Sequence, residues 1–300
     1  MSSEIKIGLV GLDTSHCTAF TEILNERGEY ALEGARVVGA HPGGSLQFSL
    51  SRERVKGLTE EIAGRFDVPL YADLARLAAN VDAIFLLSGD GRQHLEQFRE
   101  ITVGKPVFID KVLAASSADA RAIVRLAEAT GTPILSCSAL RFAAGITGPL
   151  PGNEGAVACE AFGPAFKYSD YPGLFWYGIH PVEILFSFMG AGCRTVTALS
   201  YPDLDVLVGT WQDGRRGVVR ATRYDQNPFG CVVHTRSGSS VRILAEQPPV
   251  YFSLMQNVLE FVRSGVSPVS AAEMFNVAAF LEAANQSCET GKPVDLAALV

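Results

Sequence analysis

Gly104-Lys105-Pro106-Val107-Phe108-Ile109-Asp110-Lys111-Val112-Leu113-Ala114 sets the reading of the whole chain. Val107, Phe108 and Ile109 form a short apolar run, bounded by Gly-Lys-Pro in front and an acidic-basic pair behind. A run of that length with β-branched and aromatic residues reads as a buried strand of a parallel sheet. Asp110 and Lys111 stand where that strand ends, and Ser116, Ser117 and a helical stretch over 119–130 follow. In open α/β sheets, ligands bind outside the carboxyl ends of the strands. A lysine at that edge, beside a carboxylate, is placed to meet a substrate. The competing reading of the pair is a solvated pair of charges on an ordinary loop.

Working outward, the same alternation repeats on both sides of this strand. Residues 5–10 are an apolar run ending at Gly11, and Thr14 and Ser15 can cap a helix over 17–26. Residues 36–40 are a second strand, followed by the loop His41-Pro42-Gly43-Gly44-Ser45. A helix over 52–66, a short strand at 68–71, a helix over 72–79 and a strand over 81–87 follow. A helix over 92–102 leads into the opening strand, and 133–137 is the last strand of the series. Strands that are apolar throughout and alternate with helices predict a doubly wound parallel sheet.

The pattern changes after residue 140. Residues 145–155 are rich in Gly and Pro with no periodic segment, which marks a domain boundary nearby. Beyond it, 156–162 alternates polar and apolar residues, and 175–189 is helical with Gly190 as its stop. Strands are predicted at 194–200, 206–212, 217–222, 231–236 and 241–245, with Asp213-Gly214 and Ser237-Gly238 as hairpin turns. Helices over 251–264 and 270–290 close the chain, packing on that sheet or returning to the first domain. The expected organisation is an N-terminal Rossmann domain, 1–140, and an α+β domain, 141–300, with a large, mostly antiparallel sheet.

Composition narrows the function classes. Of 300 residues, 48% are hydrophobic and 19% charged, as in a globular protein with sizeable cores. A net charge of −7 argues against sequence-independent nucleic-acid binding, which needs clustered cations. No apolar run approaches the roughly eighteen residues of a membrane span. The N-terminus, Met-Ser-Ser-Glu-Ile-Lys, has no apolar signal segment. Six scattered cysteines without CxxC spacing read as buried thiols of a reducing cytoplasm.

The order of these pieces resembles the Gfo/Idh/MocA family of NAD(P)-dependent oxidoreductases, which act mostly on sugars, inositols and related polyols. Phe66-Asp67-Val68-Pro69-Leu70-Tyr71-Ala72-Asp73 looks like the family's short third-strand segment, and His94 follows strand 81–87 at the family's usual distance. The opening stretch is similar to the signature that normally ends Glu-Lys-Pro, and Arg141-Phe142 follows the last parallel strand. Gly178-Ile179-His180-Pro181-Val182-Glu183 looks like the Gly-x-His-x-x-Asp helix, and Gly291-Lys292-Pro293-Val294 resembles the family's close.

The resemblance implies that Lys111 holds and polarises the reacting oxygen and that His180 exchanges the hydroxyl proton. The chemistry wants these types: imidazole takes a proton near neutral pH, and an ammonium stabilises a developing alkoxide. On a helix with Ile179, Val182 and Ile184 around it, His180 also has a plain reading as a core residue. Arg141, Tyr168, Trp176, Tyr177 and Glu183 are the expected substrate residues. Gly11, Asp13, Thr14, Ser15, His41, Ser88 and Asp110 are expected along the cofactor cleft.

Four departures from the family pattern stand out. A Rossmann turn wants G-x-G-x-x-G, so that backbone can close on the pyrophosphate. Gly11-Leu12-Asp13-Thr14-Ser15-His16 keeps only the first glycine, and Asp13 weakens dinucleotide binding unless its side chain turns away. No acidic residue ends the second strand at His41, and the small residues after it leave room for a 2′-phosphate, so NADP is preferred over NAD by a small margin. Val112 replaces the proline after Lys111, and Asp110 replaces Glu. Trp176 stands four residues before His180, where the family often has Asp.

Two further constellations carry less. Asp13 and His16 with His41 or His94 lack HxxxH or HxH spacing, so loop roles are favoured over a metal site. Glu183 and Asp170 show no spacing that would pair them for glycoside chemistry. The resulting expectation is a cytoplasmic NAD(P)-dependent enzyme for a small polyhydroxylated alcohol or carbonyl, with no nucleic-acid or membrane partner and no metal. It is expected to assemble as a homodimer or homotetramer through the C-terminal sheet, whose alternating Val206, Val208, Val218 and Val219 need cover. The alternative is a family member without hydride chemistry, serving as a ligand-binding or regulatory protein.

Overall fold

The apolar runs of the first half become five strands. In the computed structural model, which describes residues 4–101 and 104–299, these are β1 (Ile5–Val10), β2 (Ala35–His41), β3 (Ala83–Leu86), β4 (Val107–Asp110) and β5 (Ile134–Cys137). The predicted helix end at Thr102 and the N-terminal Met1-Ser2-Ser3 lie outside the described residues. The helices between the strands are α1 (His16–Asn25), α2 (Ser49–Gly64), α3 (Leu74–Ala79), α4 (His94–Ile101) and α5 (Ser117–Thr130). The sheet order is β2-β1-β3-β4-β5, every pairing parallel. β3, β4 and β5 are buried at every position, which is why they read as unbroken apolar runs. The chain order reverses between β1 and β3, so the crevice of this sheet opens beyond Val10 and Leu86.

The chain forms two compact units. The first comprises Met1–Ala114, Asp119–Cys137 and Tyr251–Val269, and so takes in most of α7 (Val250–Ser264). Its core centres on Phe20, Phe85 and Phe108, with Phe85 and Phe108 edge-on at 5.6 Å. All three rings are fully buried, so truncating any one to Ala costs about 3–5 kcal/mol. Two sequence expectations change here. Residues 68–71 do not form a strand: Pro69 has no N–H, and the segment makes a single bridge, Ala40 to Leu70. At the start of α1 the hydroxyl that accepts a hydrogen bond is that of Thr14, from His16 N, while Ser15 caps nothing.

The second unit comprises Ala115–Ala118, Ser138–Val250 and Ser270–Val300. Its strands are β6 (Ala158–Pro164), β7 (Cys193–Ser200), β8 (Leu204–Trp211), β9 (Arg216–Thr222), β10 (Gly230–Thr235), β11 (Gly238–Ile243) and the short β12 (Val294–Asp295). They lie in the order β11-β10-β6-β9-β8-β7-β12, antiparallel except for β6 with β9. The predicted helix over 175–189 is shorter: α6 covers Ile179–Met189, after a 3-10 turn at Gly173–Phe175. α8 (Ala271–Thr290) starts at Ser270, whose side chain accepts from Glu273 N, and stops at Gly291 in the left-handed region.

Alternation is strict along β8. Asp205, Leu207, Gly209 and Trp211 of β8 face inward, and Leu204, Val206, Val208 and Thr210 are more exposed. Val218 joins the outward set. Val219 does not: it is fully buried on the other face, because neighbours in a strand point to opposite sides. Among the described residues, no helix is long and apolar enough to cross a membrane.

Candidate functional site

Within the first unit, Gly11, Asp13 and Ser88, three of the residues predicted to line the cofactor cleft, lie together beyond the ends of β1 and β3. Gly11 sits at φ +89°, and a Cβ there would lie 2.4 Å from Ser88 N, so only glycine fits. Gly11 N donates to His41 O (2.9 Å) and Leu12 N to Pro42 O (2.7 Å), which zips the first turn onto the segment after β2. Ser88 is buried, and its hydroxyl oxygen has no hydrogen-bond partner among the described residues.

Asp13 turns inward. It is only 2% exposed; Gly89 N donates to Oδ1 at 2.9 Å and the Ser51 hydroxyl to Oδ2 at 2.6 Å. Burial pushes its carboxyl above the ordinary value, and these hydrogen bonds only partly pull it back. A second buried carboxylate, Asp90, receives Ser45 Oγ (2.6 Å), Arg92 Nε (2.8 Å) and Arg92 Nη2 (2.9 Å). Burial opposes its charge, but Arg92 and Ser45 prevail and hold it below the usual range. His41 does not reach this cluster; its Nδ1 meets Tyr71 O at 3.0 Å. His94 is fully buried, with Nε2 2.8 Å from Ser88 O and Nδ1 3.1 Å from Leu113 O, stapling the end of β3 to the segment after β4.

At the end of β4, Asp110 is 2% exposed and its Oδ2 lies 2.6 Å from His16 Nδ1. His16 is held by an edge-on contact with Tyr251 (4.8 Å) and by Phe20 (5.3 Å). Burial works to raise the Asp110 carboxyl, but His16 and Lys111 beside it keep it below the ordinary value. Lys111 is half-buried. Burial lowers its ammonium, Asp110 opposes the shift, and Arg54 adds to it. The Lys111–Val112 peptide is cis. An ammonium eased downward beside a buried carboxylate is equipped to donate to a developing oxyanion.

The second unit holds the other predicted residues. Ser138 begins the 3-10 turn Ala139–Phe142, with its Oγ accepting from Leu140 N (3.2 Å). The same Oγ lies 2.7 Å from His180 Nδ1, in the first turn of α6. Tyr177 and Phe229 present their edges to the imidazole at 4.8 and 5.7 Å, and Phe166 stacks obliquely on Tyr177 at 5.1 Å. An open cavity of about 350 Å³ adjoins these rings, lined by Phe166, Tyr177, Asp225, Asn227 and Phe229. Trp176 turns instead to Tyr168 and Tyr171, edge-on at 5.9 and 5.7 Å.

Arg141 and Glu183 meet directly, Nε to Oε2 at 2.7 Å, and Arg141 Nη1 reaches Glu273 Oε1 at 2.7 Å. Both Arg141 and Glu183 are buried. Burial raises the Glu183 carboxyl; Arg141 counters it, the Glu273 charge adds to it, and a hydrogen bond from the Ser138 amide lowers it. The pair is therefore an internal ion cluster that fixes the turn carrying Ser138.

Several residues of this machinery escape a reading of the sequence. His16 reads as a loop residue, and nothing near it in sequence names Asp110 as its partner. Ser138 carries one signal, its position directly after a parallel strand. Ser45, Ser51, Asp90, Arg92 and Glu273 carry none, because their partners lie far along the chain. Among the described residues, no three His, Cys, Asp or Glu side chains are grouped to hold a metal ion.

Residues 5–136 match the model of an oxidoreductase family with an NAD-binding Rossmann fold. No curated protein matches the chain in sequence. Solved structures share the fold along its whole length. A probable dehydrogenase from Thermotoga maritima is 18% identical, with a TM-score of 0.77, over 99% of this chain and 100% of its own. The myo-inositol dehydrogenase of Lactobacillus casei, in complex with NAD(H) and myo-inositol, is 18% identical with a TM-score of 0.73, over 97% and 96%. An oxidoreductase from Agrobacterium radiobacter, in complex with NAD+, L-tartaric acid and magnesium, is 18% identical with a TM-score of 0.69, over 99% and 100%. At such identities the likeness is one of fold.

Proposed function

We propose, on the premise that residues 5–136 belong to an oxidoreductase family with an NAD-binding Rossmann fold, that the protein is an NAD(P)-dependent dehydrogenase or reductase. Its substrate would be a small polyhydroxylated, sugar- or inositol-like alcohol or carbonyl. Residues 1–140 would form the cofactor domain and 141–300 the substrate and assembly domain. The observation that carries this reading is Lys111, half-buried beside the buried carboxylate of Asp110 at the carboxyl end of β4.

The inward turn of Asp13 supports a fit for the dinucleotide, since the charge that would repel a pyrophosphate is spent on Ser51 and Gly89. Gly11 and Leu12 already donate to the carbonyls of His41 and Pro42 at the end of β2, so the phosphates would be met by Thr14 and Ser15 at the start of α1. Ser88, with its unused hydroxyl oxygen, and Asp110 would border the same crevice, and His41 would mark the ribose end. The bound nicotinamide would supply or accept the hydride. Lys111 would donate to the reacting oxygen, and His180 would exchange its proton. Tyr177 would pack on the substrate; Tyr168 and Trp176 would build an aromatic wall, and Arg141 and Glu183 would fix the turn beneath. With no carboxylate at the end of β2, NADP is the form expected to bind more tightly.

One observation favours the second reading, a family member that has lost hydride chemistry. The glycine fingerprint after β1 keeps only Gly11, with Leu12-Asp13-Thr14-Ser15-His16 in place of the remaining glycines. Titration with NADH and NADPH, read by nicotinamide fluorescence, separates the two. Saturable binding of either supports the enzyme; no binding at millimolar concentration refutes it. In an active preparation, Lys111→Ala should abolish turnover with little loss of stability.

Assembly through the outward face of the C-terminal sheet belongs to the same reading. That face holds a cavity of about 500 Å³ lined by Phe162, Val206, Val218, Val232, Glu160 and Arg220. Sedimentation as a clean monomer would contradict a homodimer or homotetramer. All six cysteines are free and five are buried, which supports placing the protein in a reducing cytoplasm.

A further inference from the structure

We propose that Ser138 is a positioning residue that sets the tautomer of His180: its hydroxyl donates to Nδ1, so the neutral ring carries its proton on Nε2. This rests on the reading above that His180 meets the substrate oxygen. Ser138 is fully buried, and it is fixed three ways. Its Oγ accepts from Leu140 N, its amide donates to Glu183, and Glu183 is itself held by Arg141.

A serine hydroxyl has one proton to give and two lone pairs to fill. Among the described residues Ser138 Oγ has two partners, Leu140 N and His180 Nδ1. The amide can only donate. His180 Nδ1 is therefore the one acceptor within reach of the Ser138 proton. Were Nδ1 to carry a proton instead, two donors would face one oxygen and a buried O–H would go unused. Leaving such a donor unmet biases the ring by about tenfold or more towards Nε2–H.

The consequence is chemical. A carboxylate on Nδ1 would accept Nδ1–H and leave Nε2 bare, as a base for an alcohol. Trp176 stands where the family often has that carboxylate, and it packs edge-on against Tyr168 and Tyr171. With Ser138 in its place, neutral His180 presents an N–H at Nε2 that can hydrogen-bond the substrate oxygen. A proton moves only through the imidazolium, whose Nδ1–H turns the Ser138 hydroxyl from donor to acceptor. The ring can still act as a base, but only through its minor tautomer.

Long-range 1H–15N correlation on histidine-labelled protein, with His180 assigned by His180→Gln, reads the tautomer directly and needs no substrate. Expected for the wild type above the imidazole titration is a protonated Nε2 and an unprotonated Nδ1, unchanged in Ser138→Thr. Ser138→Asp should invert the pattern, since a carboxylate can only accept. A wild-type ring protonated on Nδ1, or an Asp variant indistinguishable from wild type, would overturn the proposal. If Ser138→Asp fails to fold, the wild-type and Thr spectra alone decide. Absence of nicotinamide binding would instead overturn the oxidoreductase reading and leave the tautomer result standing.

Discussion

Replacing Arg141 by Leu should destabilise the second unit by about 3–5 kcal/mol. Arg141 is 8% exposed, Glu183 is 3% exposed, and the guanidinium bridges Glu183 and Glu273 at 2.7 Å each. Two unit charges near 4 Å interact by about 4 kcal/mol at an effective dielectric of about 20. Desolvation of all three groups offsets much of that, so the pair energies do not add up as net stability. Removing the central cation leaves two carboxylates facing each other without compensation, a change worth about 3–5 kcal/mol. For a unit of this size the melting transition should fall by about 10 °C.

The pH dependence gives the sharper test. Burial already raises the Glu183 carboxyl above its ordinary value, and Arg141 restrains that rise. Without Arg141 the folded-state value climbs further. A group raised in the folded state contributes stability that is fully present below its unfolded value and lost as pH rises through the folded one. The deficit of Arg141→Leu should therefore be small near pH 4.5 and grow towards pH 8. Adding Glu183→Gln should recover at least half of it. Urea unfolding followed by circular dichroism, at three pH values, measures all of this. A deficit below about 1 kcal/mol, or one that does not change with pH, would refute the buried-cluster reasoning.

The first unit offers three more tests. Gly11→Ala places a Cβ 2.4 Å from Ser88 N at φ +89°; it should cost about 2–3 kcal/mol in thermal unfolding and abolish nicotinamide binding. Asp13→Asn keeps an oxygen for Gly89 N, but its amide meets Ser51 Oγ, which already accepts from Ser45 N, so the Ser51 hydroxyl loses its acceptor. That should cost about 1–2 kcal/mol at pH 4; because burial raises the wild-type carboxyl, the deficit should shrink towards pH 8, by differential scanning calorimetry. His16→Ala strips Asp110 of its nearest partner. The Asp110 carboxyl is depressed in the folded state, so the stability it contributes is present above its ordinary value and lost as pH falls through the depressed one. The variant should lose about 2–4 kcal/mol at pH 7 and much less at pH 3, by urea titration.

The strand order within each sheet came from the structure, but the amino-acid order alone predicted a parallel sheet followed by a mostly antiparallel one and most of their elements along the chain. That information is local: Val107-Phe108-Ile109 and its relatives are apolar at every position because both faces are covered, and β8 alternates because one face is. It also placed Lys111 at a strand end, a visible change of pattern, whereas His180 stood out only by its likeness to the family's Gly-x-His-x-x-Asp helix. The failures are local conflicts too, as with Pro69, which cannot donate within a ladder. Tertiary structure alone decided what each polar group does. Asp13 could have faced a phosphate; it faces Ser51, 38 residues on, and Gly89, 76 on. Asp110 found His16 across 94 residues, and Ser138 and Arg141 each found α6 across 42. Hydrogen bonds and ion pairs act over about 3 Å, and which groups come that close is fixed by the packing of distant elements, which leaves no periodicity to read.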